Sequence, residues 1–102
     1  GIDFGADYGS LVYASERGRV IYADWYGGYG NAVIVDHGNG MTTLYAHCSE
    51  LYVKDGDVVE KGQPISAVGS TGFSTGPHLH FELQHFVRYQ KQLMPDHFPF
   101  VV

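Results

Sequence analysis

Glycines and short β-prone runs alternate along this chain so closely that a helix has almost no room to form. Fourteen glycines and fifteen aromatic residues (eight Tyr, six Phe and one Trp) punctuate stretches of alternating or β-branched side chains. Glycine weakens a helix interior and marks turns, whereas aromatic and β-branched side chains suit the pleated surface of a strand. The pattern predicts an all-β domain with strands over Leu11 to Ala14, Gly18 to Trp25, Ala32 to Asp36, Thr42 to His47, Pro64 to Val68 and His78 to Gln84. Between the third and fourth of these lies His37-Gly38-Asn39-Gly40, whose Asn-Gly pair supplies positive φ for a tight hairpin. The segment Val53 to Ile65, with Asp55-Gly56 at a turn, reads as a bent hairpin covering one end of the fold. From Phe86 onward the pattern loosens, and Pro95 and Pro99 predict an irregular tail over residues 86–102. A chain of 102 residues, 44% hydrophobic and 17% charged, fits one domain spanning its whole length. The expected architecture is a mainly antiparallel β-sandwich or partly open barrel with glycine-rich loops around a groove.

Charge and cysteine content narrow the chemistry. The net charge is -5 and the six Lys and Arg residues are scattered, so no basic stripe exists to neutralise a phosphate backbone, and nucleic acid is not an expected partner. Cys48 is the single cysteine, which rules out a thiolate-rich zinc knuckle and leaves His and carboxylate as ligands for any metal. Cys48 itself is expected to pack rather than to act as a nucleophile. The apolar runs are far too short for a membrane span, and no leader is expected. Two glycine-rich stretches, Tyr26 to Gly30 and Gly69 to Gly76, carry no Lys and open no helix. They are expected to bring backbone close to a groove rather than to cradle phosphate.

His78-Leu79-His80 heads an apolar strand, and alternation places the two imidazoles on one face with Leu79 and Phe81 on the other. Neutral imidazole is the commonest protein ligand for zinc, and a pair at this spacing can supply one ligand and one neighbouring acid or base. His47 ends another predicted strand, on which alternation groups Tyr45 with His47 and Leu44 with Ala46. If the two strands are neighbours, a third imidazole joins the pair. A strand-end histidine bonded to a loop carbonyl is the plain alternative. Asp3 adds a carboxylate, although a turn or capping role would use the same residue. His37, beside the Asn-Gly turn, is expected to bond turn backbone. Glu82 and Gln84 share the face of His80, with Glu82 read either as an orienting partner for an imidazole or as an exposed rim carboxylate. His85 falls on the other face, and His97 carries no argument.

Taken in order, Gly1-Ile2-Asp3-Phe4-Gly5-Ala6, Gly28-Tyr29-Gly30-Asn31, Asp36-His37-Gly38-Asn39-Gly40, Leu44-Tyr45-Ala46-His47, Gly69-Ser70-Thr71-Gly72 and Ser74-Thr75-Gly76-Pro77-His78-Leu79-His80-Phe81-Glu82 resemble the lysostaphin/LytM family of zinc metallopeptidases. The matches run from the first residue to about Leu83. The resemblance implies a zinc-dependent endopeptidase that cuts peptide bonds in bacterial peptidoglycan stem peptides or cross-bridges, at a periplasmic or extracellular, cell-wall-associated location. It implies Asp3 and His80 as zinc ligands, and His47 and His78 as the pair that serves as general base and stabilises the oxyanion.

One position departs from the pattern. The first His of the family's His-x-x-x-Asp motif would fall two positions ahead of Gly1, so one zinc ligand is absent from the sequence. The expectation is a chain cut just inside the motif, which would hold its metal poorly and lack activity as it stands. The other reading is a non-catalytic domain of the same fold that activates a cell-wall amidase. A lipoyl-type carrier hairpin at Val58 to Ile65 fails because neither Lys54 nor Lys61 has the surrounding sequence.

Overall fold

The computed structural model describes residues 1–89 and 92–101, with side chains described as far as residue 85. Nine strands form one sheet: β1 (Ile2–Gly5), β2 (Leu11–Tyr13), β3 (Gly18–Trp25), β4 (Asn31–Gly38), β5 (Met41–Leu51), β6 (Val58–Val59), β7 (Pro64–Val68), β8 (His78–Tyr89) and β9 (Gln92–Val101). Every pairing is antiparallel, and the order across the main path is β1-β8-β5-β4-β3-β6. The all-β, antiparallel expectation is therefore met, as a single continuous sheet. The six expected strands all form, and β1, β6 and β9 add to them.

Strand β5 organises the rest. Its first half pairs with β8 and its second half with β7, while β4 runs along its other edge. Because β7 also pairs β2, the sheet curls and brings Val12, Ala14, Ile65 and Val68 against Val20, Val33, Val35, Tyr45 and Val59. These side chains are buried and form the main core, with Leu79 and Phe81 packed beside it. The opposite face of β5 carries a smaller cluster of Ala32, Leu44 and Ala46.

The β4–β5 hairpin turns at Asn39 and Gly40, whose φ values of 54° and 77° are the left-handed pair that the Asn-Gly dipeptide favours. The segment from Val53 to Ile65 does not fold back on itself as expected. β6 instead joins the sheet beside β3, with Gly18 opposite Val59, because this buries Val59 completely. The expected irregular tail also differs: β8 runs on to Tyr89 and β9 pairs with it. Proline is tolerated there because β9 lies at the sheet edge, where a missing N–H breaks no inner ladder. Pro99 falls in the stretch where the β8–β9 register shifts.

Candidate active site

The ladder itself aligns the chemistry. Asp3 on β1 stands opposite His80 on β8, and Ala46 on β5 stands opposite His80 from the other side. Residues directly opposite in an antiparallel pair share a face, so the carboxylate and the imidazole meet, with the small Ala46 on the far side of His80. His80 Nδ1 lies 2.7 Å from Asp3 Oδ1, and His78 Nε2 lies 3.5 Å from the same oxygen. The hydrogen bond from His80 holds the Asp3 carboxyl below the usual carboxylate range; desolvation opposes it, and the nearby charges of His80, His78 and His47 add to it.

His47 reaches this group by a route that alternation did not foresee. The register places Ala46, not Tyr45, on the face of His80, so a regular strand would send His47 into the core beside Tyr45. Between Asn31 and Val33 the pairing slips by one residue on β5, and His47 takes a φ of 60°. This bulge turns the side chain onto the opposite face, a local change of direction that bulges commonly supply beside functional sites. The His47 ring then lies 4.9 Å from the His78 ring and 6.0 Å from the His80 ring, centroid to centroid. Tyr45 stays in the core, about 1% exposed, packed edge-on to Phe81, and so does not border the cleft.

His47 and His78 are each oriented through Nδ1, and His80 through both ring nitrogens. His47 Nδ1 lies 2.5 Å from the Thr71 carbonyl, and His78 Nδ1 lies 2.9 Å from the Gly76 carbonyl. A carbonyl accepts only, so both Nδ1 atoms carry protons and both Nε2 atoms are left for the groove. His80 Nε2 donates to Glu82 Oε2 at 2.8 Å. Glu82 is only 6% exposed, so it is a buried partner of the imidazole and not a rim carboxylate. Desolvation pushes its carboxyl up, but the hydrogen bonds from His80, Tyr29 and Gln84 outweigh this and hold it below the usual range.

These side chains floor a groove of about 490 Å³. One wall is Gly28 and Tyr29, from the first glycine-rich loop, and the other is Phe73, Ser74 and Thr75, from the second. The two loops touch through backbone. Gly72, at a φ of +73°, sits where a Cβ would come within 2.4 Å of the Gly30 nitrogen. Both loops border the groove as expected, and each contributes an unforeseen aromatic, Tyr29 and Phe73, whose signal in the sequence is an aromatic inside a glycine-rich loop.

The remaining candidates lie elsewhere. His37 bonds the Arg17 carbonyl and Thr43 Oγ1, so it meets backbone across the sheet instead of its own turn. His85 stands opposite Met41 on β5. The His97 side chain is outside the described residues. Cys48 is buried, donates to Ser66 Oγ and has its thiol pushed up by burial, against the lowering effect of that bond.

Asp3 and His80 suit zinc in donor type and in convergence, but among the described residues no group of three or more His, Cys, Asp or Glu side chains is arranged to hold a metal. Two donors of the right kind are thus in place, and a hydrolytic zinc ordinarily takes three from the protein.

A curled antiparallel sheet thus gathers three imidazoles and a carboxylate in one open groove. The chain belongs to Peptidase family M23, whose profile matches residues 1–95, and the resemblance read from the motifs is borne out. It is 51% identical over 82 residues to the DD-carboxypeptidase/endopeptidase Mpg of Neisseria meningitidis serogroup B, covering 80% of this chain and 19% of that protein. It is 45% identical over 84 residues to the murein hydrolase activator EnvC of Escherichia coli, covering 82% of this chain and 20% of that protein. Among solved structures, the catalytic domain of the antimicrobial peptidase lysostaphin from Staphylococcus simulans superposes with a TM-score of 0.79 at 40% identity, covering 81% of this chain and 64% of that one. The matched region makes up 19% to 20% of the length of these two curated relatives.

Proposed function

We propose that this chain is the core of a zinc-dependent endopeptidase that hydrolyses peptide bonds in the stem peptides or cross-bridges of bacterial peptidoglycan, at a periplasmic or extracellular, cell-wall-associated site. The observation that carries the reading is the convergence of Asp3, His80, His78 and His47 in one groove from three strands, β1, β8 and β5.

Asp3 and His80 are the proposed zinc ligands, and the third that the family's His-x-x-x-Asp motif calls for is a histidine four positions before Asp3. Bound there, zinc supplies Lewis-acid polarisation of a carbonyl and lowers the pKa of water. His47 and His78 present Nε2 lone pairs to the groove, because their Nδ1 protons are given to Thr71 and Gly76. Either can take a proton from the attacking water, and the other, once protonated, can donate to the oxyanion. Gly28 on one wall lets an extended peptide lie against backbone there.

The test is made on the chain carrying its native upstream residues. It should bind one zinc and release peptide fragments from purified peptidoglycan, with loss on chelation and recovery on adding zinc. His80→Ala should lower zinc affinity. His47→Ala and His78→Ala should keep most of the metal and lower turnover by about 10²- to 10⁴-fold. Equal loss of zinc in all three variants would refute this division of roles, and no cleavage of any peptidoglycan chemotype would refute the enzyme.

The identity with EnvC, named as a murein hydrolase activator, supports a second reading in which the domain activates a cell-wall amidase. A residue other than His at the upstream position, together with stimulation of an amidase by the zinc-free protein, is the outcome that reading requires.

A further inference from the structure

Glu82 is a buried carboxylate with all its visible partners donating to it. Oε2 accepts from His80 Nε2 at 2.8 Å and from the Tyr29 hydroxyl at 2.8 Å, and Oε1 accepts from Gln84 Nε2 at 2.7 Å. Burying a charge is costly unless donors surround it, so a carboxylate at 6% exposure that meets three of them is built into the fold. These donors come from three places: Tyr29 from the loop that walls the groove, Gln84 from further along β8, and His80 from the floor.

The His80 ring is closely confined. The Tyr29 ring lies 5.9 Å from it, and the backbone at Gly1 passes so near that a Cβ there would come within 2.5 Å of Cε1. Both nitrogens of this confined ring face a carboxylate, Nε2 meeting Glu82 at 2.8 Å and Nδ1 meeting Asp3 at 2.7 Å, so the Glu82 bond holds the ring with Nδ1 on the Asp3 side. A ligating histidine commonly gives its second N–H to such an acceptor, which fixes the ring and strengthens the ligand.

We propose that Glu82, itself held by Tyr29 and Gln84, is a positioning residue that accepts the hydrogen bond of His80 Nε2–H and so leaves Nδ1 as the atom offered to metal beside Asp3. This rests on the zinc reading above for its consequence, but its geometric content stands without metal.

The experiment has two arms, both on the chain with its native upstream residues. In the metal-free protein, imidazole nitrogen–proton spectra should show a slowly exchanging proton on His80 Nε2. Glu82→Leu should abolish that protection while leaving the His47 and His78 signals in place. Glu82→Gln, whose amide oxygen still accepts, should retain it. In the second arm, competition against a chromogenic zinc chelator should show affinity falling about 10- to 100-fold in Glu82→Leu and largely restored in Glu82→Gln.

A wild-type His80 whose Nε2 carries no protected proton overturns the proposal whether or not any variant folds. So does a folded Glu82→Leu protein that keeps both the protected proton and wild-type zinc affinity. If the wild-type chain takes up no zinc, the functional reading fails alone, and the Nε2 proton still decides the role of Glu82.

Discussion

His47 is one of two non-glycine residues with positive φ among those described, the other being Asn39 in the hairpin turn. Left-handed backbone costs a side chain with a Cβ roughly 1–2 kcal/mol, and asparagine at a turn is an ordinary way to bear it. Histidine inside a strand is not, and the Thr71 carbonyl on its Nδ1 helps hold it there. The strain is spent on moving one imidazole from the core face to the groove face. Tyr29 gives a second residue-scale consequence. Burial and the hydrogen bond it donates to Glu82 push its phenol up to about 12. A group raised in the folded state contributes stability that is present below its unfolded value, about 10 for tyrosine, and is lost as pH rises through the folded value. Phenolate absorbance during an alkaline titration should therefore show a late step that Tyr29→Phe lacks. The variant's stability should also depend less on pH between about 10 and 12. An unchanged late step in Tyr29→Phe would show that this phenol is not the one held by Glu82.

At the scale of elements, the groove depends on two loops touching. The added Cβ of an alanine at Gly72 would meet the Gly30 nitrogen at 2.4 Å and the Gly28 carbonyl oxygen at 2.5 Å. Those are backbone atoms, which cannot swing aside as a flexible side chain would. Thr71, next in the chain, bonds the Cys48 carbonyl and the Asn31 amide through its hydroxyl and His47 through its carbonyl. Gly72→Ala is thus expected to cost about 2 kcal/mol or more in denaturant unfolding and to disturb His47. Gly38 provides the control, since its φ of +91° is similar but nothing lies within 4 Å of its added Cβ. Gly38→Ala should cost only the backbone part, about 1 kcal/mol. Equal losses in the two variants would mean that the loop contact does not matter. The bulge in β5 works at the same scale, since the slip between Asn31 and Val33 is what frees His47 from its regular direction.

For the molecule as a whole, stability comes from the curl that closes β2 and β7 over β3, β4 and β5. Ile65 is fully buried in that seam. Ile65→Ala should cost about 2–5 kcal/mol by lost burial and cavity formation, which lowers Tm by about 10 °C or more in a domain of this size. Ile21, at 44% exposure, should lose far less on the same change, and a calorimetric scan of both variants checks the contrast. The sequence by itself determined the fold class, six of the strands and the Asn39-Gly40 hairpin, while its resemblance to the family implied Asp3, His47, His78 and His80. Those are local matters: strand alternation, turn chemistry and motif spacing act over a few residues and leave their mark in order along the chain. Only the tertiary structure decided the rest. β1 has four residues and shows as a strand only once β8 lies beside it. β6 finds β3 rather than its own neighbours, and Glu82 becomes buried only when Tyr29, 53 residues away in sequence, closes over it. The direction of His47 is the sharpest case. Alternation predicted the right company for it by the wrong face, because a one-residue slip in register belongs to the pair of strands and cannot be read from either alone.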